Sequence, residues 1–541
     1  MLSPGRRNRQ RRAVAQGASL PAPTGGWDAV NSLSDMPEDR AVVLDNWFPH
    51  PDDVVVRRGS QIHATGLGSG VVDSLLVYHG ATNASSKMFG CANSRIYDVT
   101  SEGGASASVT GLSNNRWQST NFTLSSGTHY LWACNGADDP RAYNGSSWVT
   151  PSISGITASD AINVNVHKNR LWLVLRDSMK AAYLNTDAFQ GTATPFNLGS
   201  VMGKGGFLVS MGTWTQDAGN GPDDYAVFVS SRGQAAIYQG TDPSSASTWS
   251  LVGVFDLGAP IGRRCLTKVA GDLALVNIDG VLPLSKALGV DRGAVAQVAI
   301  TANINNAMND AARSYKDNFG WELCPYPKGT MALLNVPLIE GQEQHQYVMN
   351  TLTGAWCRFK GMDANCWAVF RDNLYFGGNE GLVWQADTTA LDGIEPIDAI
   401  GQQAYNYFRS KGQLKRFTAV QPMLTTDSAS RPAIGISTDF KDNATLGTPS
   451  SSAISAALYD SAVWDTDTYP VESRSITDWT TLSGTGQCAS IHFRARTGRE
   501  TGLSVWGEAQ WGVDSWSAST AGEVEVKLNG FNVIYERGGF L

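Results

Sequence analysis

The chain has 541 residues, more than one ordinary hydrophobic core organises, so two or more domains are expected. Charged residues are sparse at 17%, aromatics reach 9% and there are 57 glycines; that mixture suits many short strands joined by tight turns and excludes long heptad helices. The net charge of −8 is uneven: residues 1–12 hold Arg6, Arg7, Arg9, Arg11 and Arg12 and no acid, leaving 36 basic against 49 acidic groups, or −13, in the rest.

Residues 1–25 read as a flexible basic arm that becomes rich in Ala, Gly and Pro. No apolar core of a signal peptide follows the arginines ("AVAQGASLPAPTGG"), and no run approaches the roughly 20 apolar residues of a membrane helix. Residues 26–70 are expected to join this arm to the body.

From about Val71 a pattern recurs: an apolar run, a turn built on Asn, Asp or Gly, and a second apolar run. It appears in "KMFGCANSRIYDV", "YLWACNGADDPRAYNGSSW", "NRLWLVLRDSMKAAYL", "YAVFVSSRGQAAIYQG", "LALVNIDGVLPLS" and "LYFGGNEGLVWQA". These are hairpin signals. Six of them within residues 71–390 give a period near the ~40–50 residues of four-stranded propeller blades, so a β-propeller of about six blades, with insertions, is preferred over sandwiches. In the fourth hairpin Tyr225, Val227 and Val229 should face one side of their sheet and Phe228 the other. Its continuation, "TDPSSASTW", reads as a loop begun by Asp-Pro and anchored by burial of Trp249. "ITANINNAMNDAARSYKDNFGW" carries Ile300, Ile304, Met308 and Ala311 on one stripe, a short helix set in a blade connection. Residues 400–541 alternate as half-buried strands in "PAIGISTDF", "ASIHFRARTG" and "EVEVKLNGFNVIYERGG", a C-terminal β-sandwich-like domain in an all-β protein.

The chemistry of catalysis is not apparent. "GSVMGKGG" fails as a phosphate loop, because Gly205 stands where a Ser or Thr would hold magnesium. No H-E-x-x-H, G-x-S-x-G or calcium loop occurs, and "DTDTY" at Asp465 reads as a solvated loop. Against the S-x-D-x-G-x-T-W turn of sialidase propellers, only Thr248 and Trp249 agree, with Asp242, Ser244 and Ala246 at the other positions. Glycoside hydrolysis needs two carboxylates set ~5–9.5 Å apart, whereas Asp52–Asp53, Asp138–Asp139 and Asp223–Asp224 are sequence neighbours that diverge in a strand or are solvated in a turn. The seven cysteines are scattered without a C-x-x-C and are expected to be reduced and buried. No catalytic residue, cofactor or metal is therefore expected. Partner or nucleic-acid contacts are assigned to the five arm arginines and to Arg409, Lys411, Lys415 and Arg416, which interleave with Phe408 and Phe417 in "FRSKGQLKRF". The other reading of that run is an exposed strand edge guarded by charge. Trp506, Trp511 and Trp516 suit buried anchors or an interface better than a carbohydrate platform.

Long phrases also carry a resemblance: "MPEDRAVVLDNWFPHPDDVVVRRGS", the stretch from "DDYAVFVSS" to "GVLPLSKAL", "NTLTGAWCRF", "NYFRSKGQLKRF" and "GFNVIYERGG". Together they resemble the tail nozzle, or packaged-DNA stabilisation, proteins of short-tailed (podovirus-type) bacteriophages, over most of residues 30–541. The resemblance implies a β-propeller body and a homo-oligomeric, six-membered ring below the portal, contacting head-to-tail adaptor proteins, with tail fibres or a tail needle as further candidate partners. It also implies a virion location after assembly in the host bacterial cytoplasm, and no enzymatic role. Double-stranded DNA would pass without sequence-specific contact, consistent with an acidic body that grips phosphates poorly. The arginine arm falls outside the likeness. The rival expectations are a tail-borne glycan-binding or glycan-cleaving propeller and a soluble ligand-binding propeller.

Overall fold

A computed structural model describes residues 15–217, 222–426, 432–441, 444, 446–447, 449, 474–497 and 526–540. The chain forms two compact units, Arg58–Glu395 and a second that combines Met1–Arg57 with Pro396–Leu541.

The first unit is a β-propeller of seven antiparallel sheets. Blade 1 consists of Ser74–Tyr78, Lys87–Ala92, Arg95–Asp98 and Ser106–Thr110, and blade 2 of Gln118–Thr123, His129–Cys134, Arg141–Tyr143 and Trp148–Val149. Blade 3 holds Ala161–His167, Arg170–Leu175, Lys180–Tyr183 and Thr194–Asn197; blade 4 holds Leu208–Asp217, Pro222–Ser230, Gln234–Gly240 and Trp249–Asp256. Blade 5 has three strands, Leu266–Val269, Asp272–Asn277 and Gly280–Pro283, and blade 6 has Glu322–Tyr326, Met331–Ile339, Glu343–Asn350 and Trp356–Phe359. Blade 7 takes Cys366–Phe370, Asn373–Gly377 and Val383–Ala386 from the end of the unit, and its outer strand, Ser60–Thr65, from the beginning. The first strand of each blade packs beside that of the next, and the ring closes from blade 7 to blade 1.

The count exceeds the six hairpins legible in the sequence by blade 6. The hairpin of that blade turns through Glu340–Gly341–Gln342 between strands of nine and eight residues, without the Asn-Gly or Asp-Gly marker. Two-residue turns elsewhere take the primed geometry that fits strand twist. Both central residues have positive φ at Asn93–Ser94 (53° and 59°), Lys168–Asn169 (47° and 55°) and Arg371–Asp372 (48° and 60°).

Blade 4 shows how the core is built. Val227 and Val229 pack with Ile237 against Leu275 and Leu282 of blade 5, while Phe228 packs with Ala236 and Tyr238 against Trp172 and Tyr183 of blade 3. The alternation expected of this strand is therefore what seals both inter-blade seams. Trp249 is buried, its ring stacked 5.5 Å from both Tyr238 and Trp172. The loop before it is tied by Asp242, whose carboxylate accepts from Ser244 N at 3.1 Å and Ser244 Oγ at 2.9 Å. Between blades 5 and 6 the helix Asn305–Tyr315 buries Met308, Ala311 and Ala312, following buried Ile304, as the stripe predicts. All seven cysteines are free thiols, six of them buried and Cys324 partly so.

The second unit is a β-sandwich. One sheet contains Val526–Phe540 paired to Gln413–Thr426 on one side and to Ala15–Pro21 on the other. The second orders Arg40–Asp45, Asp398–Gln403, Ala489–Arg496 and Ala433–Thr438. Trp47, Phe493 and Phe531 meet between them at centroid distances of 5.4 Å. Gly401 lets Phe493 lie flat on the backbone: a Cβ there would fall 2.1 Å from the ring. These strands move two expected boundaries. Residues 15–25 are not part of a free arm, since Ala15–Pro21 is a paired strand with Leu20 buried. Residues 26–70 are not a mere joining segment, since they supply strands to the sandwich and the closing strand of the propeller. Their partners lie hundreds of residues away, beyond the reach of local periodicity.

Candidate functional site

In every blade the first strand runs the same way, and antiparallel pairing places the exit of the second strand beside the start of the first. The residues just before the first strands and just after the second strands therefore gather at one end of the propeller axis. Asp73, Arg116, Arg263, Arg264 and Phe319 come from the former positions, and Asn135, Gly136 and Arg176 from the latter. All of them but Arg264 line a polar cleft of about 670 Å³.

Beside the cleft, behind Phe319, lies an ion pair. Arg264 Nη1 donates to Glu322 Oε2 at 3.0 Å, and Nη2 donates to Asp73 O and to Ser74 Oγ, both at 2.8 Å. The other Glu322 oxygen accepts from Trp367 N. One guanidinium–carboxylate pair thus joins blades 5, 6, 7 and 1, four consecutive members of the ring. Burial alone would lower the Arg264 pKa, but the Glu322 charge and hydrogen bond, with the charges of Cys366 and Asp73, together outweigh it and the guanidinium is held more firmly protonated than usual. Burial raises the pKa of Glu322 despite Arg264. Phe319 forms one wall, with the Arg116 guanidinium 4.3 Å and that of Arg264 4.9 Å from its ring centroid.

Around the mouth, most cations have carboxylate partners. Arg116 binds Glu340 and lies 3.9 Å from Asp73; Arg176 donates to Asp160 and to Gly136 O, both at 2.8 Å; Lys316 pairs with Asp317 at 3.1 Å. Burial raises the Asp73 pKa against the pull of Arg116. Arg263 differs. Its one hydrogen bond is a long one, Nη1 to Asn135 O at 3.4 Å, and among the described residues it has no ion pair. Burial lowers its pKa; the Asp177 charge opposes this and the charges of Arg176 and Arg116 reinforce it. Arginine does not transfer protons near neutrality, so the site is built to hold charge.

The residues expected from sequence to make contacts lie elsewhere. Arg6, Arg7, Arg9, Arg11 and Arg12 fall outside the described residues, as do Trp506, Trp511, Trp516 and Asp465. Arg409, Lys411 and Arg416 are exposed on the sandwich unit, with Lys411 Nζ 4.9 Å from the Tyr407 ring centroid. Lys415 is not a contact residue. It is fully buried, and its ammonium donates to Ser410 O at 2.7 Å, Gln413 O at 3.0 Å and Gln487 O at 2.7 Å. Nor do the aromatics form a stacking platform: Phe408 and Phe417 are core residues, packed on each other and on Tyr535. Alternation along the strand sends Lys415 and Phe417 inward and Arg416 outward. Of the acidic doublets, Asp138 is bound by Ser113 and Asn135, and Asp224 by Lys168 and Thr215. Sequence reasoning missed the axial cleft because its members lie up to about 250 residues apart; the Arg263–Arg264 doublet just before a strand is the one local signal.

No protein-family model matches the chain, and no curated protein matches it. Among solved structures it is similar to the extracellular domain of a hybrid two-component system from B. thetaiotaomicron (TM-score 0.39, 12% identity, 60% of this chain and 39% of that one). It is also similar to the WD40 β-propeller domain of Doa1 (0.37, 10%, 61% and 96%) and the β-propeller domain of a Myceliophthora thermophila Cps50 (Swd1) (0.38, 12%, 61% and 100%). The chain spans 39% of the length of the first of these and 60% of a second B. thetaiotaomicron extracellular domain.

Proposed function

We propose that the chain is a structural component of a phage tail, a nozzle subunit that helps retain packaged DNA and lets it pass during ejection. The observation that carries this reading is the Arg264–Glu322 pair between neighbouring blades 5 and 6, with Arg264 reaching on to blade 1 and Glu322 to blade 7. A pair that ties four consecutive blades together makes the propeller a rigid block, so DNA would travel along a wall that several copies form together. The acidic balance outside the arm supports such a wall, because acids outnumber the cations that could hold phosphate. The sequence resemblance supplies the tail and the ring of six; closure by heterologous contacts would generate the channel.

Electron cryomicroscopy of the particle that carries this chain tests the reading. A sixfold ring below the portal and adaptor is the expected result. Density for the chain off the tail axis, or as a single copy, would overturn it. Incubating the purified chain with host polysaccharide tests the glycan-cleaving alternative, which shortened chains would favour.

A further inference from the structure

We infer that the cleft at the propeller axis binds a small oxyanion-bearing molecule, a phosphate or a carboxylate, through Arg263. Four cations face the cleft, Arg116, Arg176, Arg263 and Lys316, against two lining carboxylates, Asp73 and Asp317. Three of the four cations are neutralised by acids of the fold: Arg116 by Glu340, Arg176 by Asp160 and Lys316 by Asp317. Arg263 is left over. A guanidinium carries five N–H donors in a planar fork suited to an oxyanion, and this one uses a single donor, on a backbone carbonyl at 3.4 Å. It is half-buried beside the like charges of Arg176 and Arg116, only partly offset by Asp177, which is costly unless a further negative group joins it.

The fold holds that charge in place. Gly136, at φ 75°, passes under the guanidinium, and a Cβ there would lie 3.3 Å from Arg263 Nη1 and 2.6 Å from Ile162 Cγ2. Any other residue at 136 would push both aside. The cleft volume of about 670 Å³ is in the range of small-molecule sites, and Phe319 gives it one flat apolar wall. Among the described residues no carboxylate forms an ion pair with Arg263, although the Asp177 charge acts on it from a distance, so an incoming oxyanion would find its donors free. This inference does not depend on the tail assignment.

The test is calorimetric titration of the full chain with inorganic phosphate and, separately, with acetate, at constant ionic strength set by potassium chloride. Saturable binding of at least one anion is expected: phosphate alone identifies a phosphate group, acetate alone a carboxylate, and both a shared oxyanion site. Arg263→Gln should weaken that binding by about tenfold or more, while Arg313→Gln, on an exposed helix position, should leave it unchanged. If Arg263→Gln does not fold, Arg263→Lys keeps the charge but loses the planar fork, and severalfold weaker binding is expected. No saturable heat for either anion up to tens of millimolar overturns the inference. So does an equal loss from the Arg263 and Arg313 variants, which would mark diffuse charge attraction.

Discussion

Arg264 and Glu322 stand 3.0 Å apart at the starts of two neighbouring blades, and each also holds a third blade: Arg264 through Ser74, Glu322 through Trp367 N. Breaking a buried pair leaves an uncompensated charge, so Arg264→Met or Glu322→Leu alone should cost about 3–5 kcal/mol. The double substitution should cost clearly less than the sum of the two. Urea unfolding of the two single variants and the double variant measures the difference.

Trp249 lies between Tyr238 and Trp172 at a blade seam. Trp249→Ala should destabilise the propeller by about 3–5 kcal/mol. The readout is a lower unfolding midpoint, since the position anchors a loop and touches no cleft residue.

His167 is buried against the Trp249 edge, with Nδ1 3.3 Å from Thr213 Oγ1. Burial, reinforced by Lys168, lowers its pKa from 6.5 to about 4. Between those values the unfolded chain takes up a proton that the folded chain refuses. Stability is therefore full above about pH 6.5 and falls as the pH drops toward 4, by up to about 3 kcal/mol. His167→Gln should flatten this part of the profile, read as a smaller shift in melting temperature between about pH 7 and pH 5.

Lys415 and Arg416 are adjacent in sequence and opposite in consequence. Lys415→Met strands three backbone carbonyls and should cost at least about 1–3 kcal/mol. Arg416→Ala, on the exposed side, should fall within about 0.5 kcal/mol of the parent. Thermal melts of the two variants side by side check the contrast.

Gly401→Ala drives a methyl into the Phe493 ring. Overpacking of this kind costs about 1–3 kcal/mol or more. Adding Phe493→Leu should recover part of the loss, which a comparison of soluble yield and melting temperature would show.

Local patterning carried much of the propeller. Alternation in Tyr225–Val229, the stripe through Met308 and the Asn- and Asp-centred turns each name their own structure, because strand and helix periods are written in adjacent residues. Whatever depends on distant pairing was not legible. Ser60–Thr65 gives no sign that it will meet Val383–Ala386, nor Ala15–Pro21 that it will meet the C-terminal strand. The axial cleft is the extreme case, since Arg116, Arg264 and Phe319 become neighbours only once the ring has closed. Charge clustering in "FRSKGQLKRF" misled for the complementary reason: a lysine in a strand reads as solvated until its carbonyl partners are known.

The late arrival of the last blade sets a timetable for biosynthesis. The strand Ser60–Thr65 leaves the ribosome about 320 residues ahead of the segment that covers it. At ~5–20 residues per second it waits roughly 15–60 s with an open edge. Over that interval its unpaired edge is open to strand addition from a neighbouring nascent chain. Slower translation, or a chaperone that shields the first sixty-odd residues, would decide how much of it matures as a single ring.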